Sequence, residues 1–115
     1  MRRINTHMVG VDQGSMILFS DFEHDGEMWT GSGARKLVTP VGFSEHFLSP
    51  PSVHVSVSMW DLDKRTNARA DIAADAITET GFQIIFRTWG DTRVARMRVN
   101  WTAIGEVRGD DDWDV

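Results

Sequence analysis

From Pro50 to Ile104 the chain alternates apolar and polar residues in short runs, each closed by turn-forming residues. Ser52 to Trp60 is the clearest run. Val53, Val55, Val57 and Met59 fall on one side of an extended chain, and Ser52, His54, Ser56, Ser58 and Trp60 on the other. A period of two sets one row against a core and the other against solvent, which predicts a half-buried strand. Ala95 to Ile104 repeats the pattern, with Ala95, Met97, Val99, Trp101 and Ala103 inward and Arg96, Arg98 and Asn100 outward. Phe82 to Arg87 is a shorter strand between the turns Thr80-Gly81 and Gly90-Asp91-Thr92.

Three more strands follow from weaker signals. One runs from Val11 to about Ser20, around Met16-Ile17-Leu18-Phe19. Another covers Leu37 to Phe47, where Pro40 and Gly42 predict an edge position or a bulge. Arg69 to Ala76 is the last, with Ala70, Ile72 and Ala74 on one face. Its alanines also suit a helix over Asp71 to Thr80, but the flanking turn signals favour a strand. Asp21 to Arg35, rich in Gly, Asp, Glu and Ser, reads as a long loop anchored by Met28 and Trp29. Together these elements predict an all-β fold, a six-stranded antiparallel β-sandwich.

Composition narrows the function. A chain of 115 residues fits one domain over residues 1–115, with a core at about 10–105, a short N-terminal arm and an acidic C-terminal tail at Asp110-Asp111-Asp112. There is no Cys, so neither a disulfide framework nor a thiolate metal site is available. A net charge of −5 argues against general binding to nucleic acid or anionic membranes. Met1-Arg2-Arg3 is basic, but no apolar segment follows, so no signal peptide is predicted and the compartment stays unassigned. No apolar run is long enough for membrane insertion as a helix.

His7, His24, His46 and His54 lack zinc-ligand spacing. Asp61, Asp63, Asn67 and Asp71 lack the Gly and terminal Glu of an EF-hand loop. No metal and no cofactor is therefore expected. Neither a nucleophile elbow nor a phosphate loop appears, which predicts a protein that is not an enzyme.

One set of pieces holds its order along most of the chain: Thr30-Gly31-Ser32-Gly33-Ala34-Arg35, Phe43 with Phe47, Pro51-Ser52-Val53, Asp61, Asn67 with Arg69, Thr80-Gly81-Phe82, Thr88-Trp89, and Trp101 with Ala103-Ile104. In this the chain resembles the H-type lectin domain family, from about Gly31 to Ile104 and more loosely from Val11. The resemblance implies a homotrimer with sugar sites between subunits and a preference for galactose or N-acetylgalactosamine. It also implies that one subunit supplies Gly31, Ser32 and Arg69, while its neighbour supplies Trp89, Gly90 and Asp91, with Ala95 further along. Snail members of the family carry an acid near the position of Ser32, and His and Tyr where this chain has Gly90 and Ala95. The implied partners are glycans and further copies of the chain, acting in adhesion to glycan-coated surfaces. The alternative is a structural adaptor, such as a trimeric fibre tip with a degenerate sugar site.

Each candidate has a plainer alternative. Arg69 offers a planar fork for adjacent hydroxyls, or an ion pair with Asp61, Asp63 or Asp71. Trp89 offers an indole face to a pyranose, or fills the core at a strand end. Thr30 to Gly33 brings backbone N–H groups to a ligand or is a plain turn, and Asp91 accepts from hydroxyls or caps its own turn. Trp101 is expected in the core, Trp29 pinning the long loop and Trp60 at a subunit interface. Arg87, Arg96 and Arg98 are expected to form one basic group for an oligomer contact or partner groove, with the acidic tail as a possible partner, or else a solvated face.

Overall fold

The computed structural model describes residues 1–5 and 7–109, so the acidic tail lies outside the described residues. Six strands form two three-stranded antiparallel sheets. In the first, β1 (Val9–Phe19) and β3 (Ser52–Leu62) flank β6 (Val94–Glu106). In the second, β2 (Arg35–Gly42) and β4 (Asp71–Asp75) flank β5 (Gly81–Thr88).

The central strands β5 and β6 are the most deeply buried, because each is flanked on both sides in its own sheet and covered by the other. Phe82, Ile84 and Phe86 of β5 face Met97, Val99, Trp101 and Ala103 of β6, and all seven are buried. Phe43, Phe47, Phe82 and Trp101 form a ring cluster with centroids 5.0–6.0 Å apart. Such edge and offset contacts add specific packing to the area they bury. Gly14, paired with Trp101 in the β1–β6 register, makes room for the indole: a Cβ there would lie 2.6 Å from Nε1.

The expected sandwich is present, with local differences. β2 ends at Gly42 rather than at Phe47. The chain beyond turns away, and its N–H groups at Phe43 and Phe47 donate to the carbonyls of Thr80 and Glu79. β2 is an edge strand, which accommodates Pro40 without loss of a sheet hydrogen bond. β3 does not keep its alternation. A register shift between Val57 and Met59 breaks it, and Val57 is exposed. β4 begins at Asp71 and leaves Arg69 and Ala70 in the preceding loop; Ala76, with φ of 50°, follows its end.

The segment Asp21 to Arg35 is more ordered than the long loop its composition predicts. It holds two single-turn helices, α1 (Asp21–His24) and α2 (Glu27–Thr30). The Asp21 carboxylate accepts from the Met28 N–H, and Met28 is buried. Trp29 pins the segment as expected: its ring meets Phe22 edge-on at 5.2 Å and lies 4.2 Å from the Arg93 guanidinium.

Candidate carbohydrate site

The start of β2 and the end of β5 lie side by side, since Arg35 pairs with Thr88. The start of β4 joins them through Asp71 opposite Arg87. Three loops therefore converge at one end of the second sheet: residues 31–34, residues 67–70 and the turn Trp89-Gly90-Asp91.

Two buried threonines tie the second loop to the turn. The Thr92 hydroxyl accepts from the Arg69 N–H at 3.0 Å and donates to the Asn67 carbonyl. The Thr88 hydroxyl donates to the Arg69 carbonyl. Thr88 and Thr92 bracket the turn, so a hydroxyl on either side of it fixes the segment from Asn67 to Arg69.

Arg35 ties the first loop to the same turn. Only 6% of its surface is exposed. Its Nε donates to the Gly33 carbonyl at 3.0 Å and Nη2 to the Gly90 carbonyl at 3.3 Å. Nη1 faces the carbonyls of Glu27 and Met28 at 3.3 and 3.4 Å. The Gly33 N–H also donates to the Gly90 carbonyl at 2.9 Å. Gly31 packs so closely on α2 that a Cβ would lie 2.5 Å from the Glu27 carbonyl oxygen and 3.1 Å from the Arg35 side chain.

On this frame the predicted residues come together in a single chain. The Arg69 guanidinium pairs with Asp91 at 2.9 Å, not with Asp61, Asp63 or Asp71. Those three face other arginines: Asp61 faces Arg96, Asp63 faces Arg65 and Arg93, and Asp71 faces Arg87. Asn67 donates to the Asp91 carboxylate through its side-chain amide and its backbone N–H. The Asn67 side-chain bonds, then its N–H, and last the Arg69 charge hold the Asp91 carboxyl below its ordinary range, against desolvation.

Gly90, with φ of 70°, sits where a Cβ would come 3.3 Å from Arg69 Nη1. Trp89 is 45% exposed, so it is not a core side chain, whereas Trp101 is. Ser32 is exposed beside Gly33, at the tip of the first loop. Ala95 is buried and lines a separate groove with Phe22, Glu23 and Arg96.

The basic group expected from Arg87, Arg96 and Arg98 does not form. Arg87 is on β5 and the other two on β6, in different sheets. Arg96 pairs with Asp61, and Arg98 donates to the Ser58 hydroxyl at 3.1 Å. The positioning roles of Arg35, Thr88 and Thr92 went unseen in the sequence. The one signal for them was two threonines bracketing the predicted Trp89-Gly90-Asp91 turn.

This two-sheet sandwich, with binding-type side chains in loops at one end, has the form of a small carbohydrate-binding domain. The family model for the H-type lectin domain matches residues 38–104, and the chain belongs to that family of lectins. It is 58% identical over 107 residues to "ATP synthase subunits region ORF 7" of Fuscovulum blasticum, with 93% of each chain covered. It is 35% identical over 75 residues to discoidin-1 of Dictyostelium discoideum, covering 64% of this chain and 30% of that one. Among solved structures it resembles discoidin II of Dictyostelium discoideum, with a TM-score of 0.75 and 24% identity over 89% of this chain and 39% of that one. The tailspike protein gp49 of Pseudomonas phage LKA1 shares the fold at a TM-score of 0.54 and 17% identity, covering 87% of this chain and 15% of the tailspike. The chain thus spans well under half the length of the discoidins it matches.

Proposed function

We propose that the protein is a non-catalytic lectin that binds galactose- or N-acetylgalactosamine-type glycans between the subunits of a homotrimer. The observation that carries this reading is the convergence of Gly31, Ser32, Arg69, Trp89, Gly90 and Asp91 at one exposed end of the chain, on a frame held by Arg35, Thr88 and Thr92. Arg69 is a donor with its remaining N–H groups directed by the pairing with Asp91, and Asp91 is an acceptor. Such a couple suits neighbouring sugar hydroxyls, each of which donates one hydrogen bond and accepts others. Each chain end carries all six residues, so at the seam of the proposed trimer the exposed Trp89 of one subunit supplies a flat apolar face for the C–H side of a ring held by Arg69 of the next.

Such sites are shallow, so several on one trimer would act together on a glycan-coated surface, where avidity exceeds single-site affinity. Val57 and Trp60, both exposed on the edge strand β3 beside Met59, form an apolar patch that supports self-association. A glycan array tests the specificity and light scattering the trimer. Arg69→Ala is expected to abolish the galacto-type signal and leave the trimer intact; unchanged binding would remove Arg69 from the site.

A second reading, a structural adaptor at a trimeric tip, rests on two positions. Gly90 brings no side chain and Ala95 is buried, where snail members carry His and Tyr. Recovery of a protein partner by a trimer that binds no glycan on the array would favour this reading.

A further inference from the structure

Beside Trp89 the outer face of the second sheet holds a cleft of about 310 Å³, lined by Ala34, Arg35, Lys36, Arg87, Thr88 and Trp89. Its charge is unbalanced. Lys36 and Arg87 are direct cross-strand partners on β2 and β5, and like charges so placed destabilise a sheet. Arg87 has Asp71 on its other side, at 3.9 Å. Among the described residues Lys36 has no carboxylate within ion-pair distance. Neither has Arg35: the partners of its buried guanidinium are neutral carbonyls, which orient the charge without cancelling it. Two exposed cations, with the buried Arg35 charge behind them, therefore meet one carboxylate at a cleft whose wall is an exposed indole, in a protein whose net charge is −5.

We propose that this cleft extends the sugar site and selects glycans carrying an acidic group, with the anion held by Lys36 and Arg87 next to a ring on Trp89. The inference rests on the lectin reading above and specifies its ligand class. The spacing is suitable. Arg87 is the second-last residue of β5 and Trp89 follows directly after the strand, so on extended backbone their side chains stand about 6–7 Å apart, roughly one pyranose ring. A carboxylate or sulfate on that ring, or on the next one, relieves the repulsion between Lys36 and Arg87 that the free protein bears.

Titration calorimetry separates the outcomes. The ligands are an oligogalacturonate, a sulfated galacto-oligosaccharide, the neutral galacto-oligosaccharide of equal length, and short polyglutamate as a charge control. The acidic sugars are expected to bind about five- to tenfold tighter than the neutral one at low salt, with the gap closing as salt screens the exposed charges. The carboxylated and sulfated arms show which anion the cleft prefers, and tighter binding of either supports the proposal. Lys36→Gln has no ion-pair partner to lose, and Lys36→Gln/Arg87→Gln removes both exposed cations; each is expected to bring acidic and neutral sugars toward equal affinity. Equal binding of acidic and neutral sugars by the unaltered protein overturns this inference and leaves the lectin reading standing. Polyglutamate binding as tightly as the acidic sugars overturns it too, because charge alone would then suffice. Binding of no sugar at all overturns both readings.

Discussion

Replacing Arg35 by Ala should loosen two loops at once. The guanidinium reaches four carbonyls, those of Gly33, Gly90, Glu27 and Met28. Two of these keep another donor: the Gly31 N–H serves Glu27 and the Gly33 N–H serves Gly90. The other two carbonyls, of Gly33 and Met28, lose the donor that Arg35 gives them. A hydrogen bond to a charged donor contributes about 1.5–3 kcal/mol; the Gly33 bond is only part-buried and the buried Met28 bond is long at 3.4 Å, so a net cost of about 2–4 kcal/mol is expected. Arg35→Lys should recover only part of this, because one ammonium cannot serve carbonyls on several sides of a planar fork.

Urea unfolding followed by circular dichroism gives the free energy. Hydrogen exchange at the Gly33 amide, which donates to Gly90, reports the junction directly. The expected result is a lower midpoint with an unchanged slope and faster exchange at Gly33 than in the β6 core. A loss below about 0.5 kcal/mol with unchanged Gly33 protection would refute the assignment of Arg35 as the link between the loops, since a surface substitution costs no more than that.

Asp63 should govern acid stability. The Arg65 side chain donates to it, then the Arg65 N–H, with further help from the Arg65 and Arg93 charges, and desolvation opposes them; its pKa falls from 3.8 to about 2. Because the folded value lies below the unfolded one, the stabilisation is full above about pH 4 and is lost as pH falls through about 2, so Asp63→Asn should flatten the stability–pH curve in that window. Phe86→Ala should cost about 3–5 kcal/mol in chemical unfolding, because the ring is fully buried against Phe19 at 5.1 Å between centroids. Gly90→Ala meets both a left-handed backbone and Arg69 Nη1 at 3.3 Å, so thermal unfolding should show a loss of about 1 kcal/mol and glycan titration a weaker site. Unchanged stability and binding in that variant would show that the turn tolerates a side chain.

How much of this was legible in the sequence depended on the range over which each feature is determined. All six strands were readable, and the inward row of β6 was assigned residue by residue, because a period of two is a local property of the chain. The errors arose where distant neighbours decide. The shift in β3 that leaves Val57 exposed is a property of its pairing with β6, and β2 stops at Gly42 because the next residues bond to the 79–80 loop. The order of the six site residues was carried by the resemblance, and no local pattern would have selected them.

By its own pattern, then, the chain determined that it makes a two-faced β fold with Trp101 inside, since burial of alternating apolar residues leaves few other arrangements. The tertiary structure alone decided who meets whom at the binding end. Arg69 lies 22 residues from Asp91, and Arg35 lies 55 from Gly90. An arginine in a Gly-rich stretch reads as solvated until the sheet register sets Arg35 opposite Thr88 and closes a ring of carbonyls around it. Hydrogen bonds act over about 3 Å and carry no periodicity, so their partners become visible only once the fold has brought the strands together.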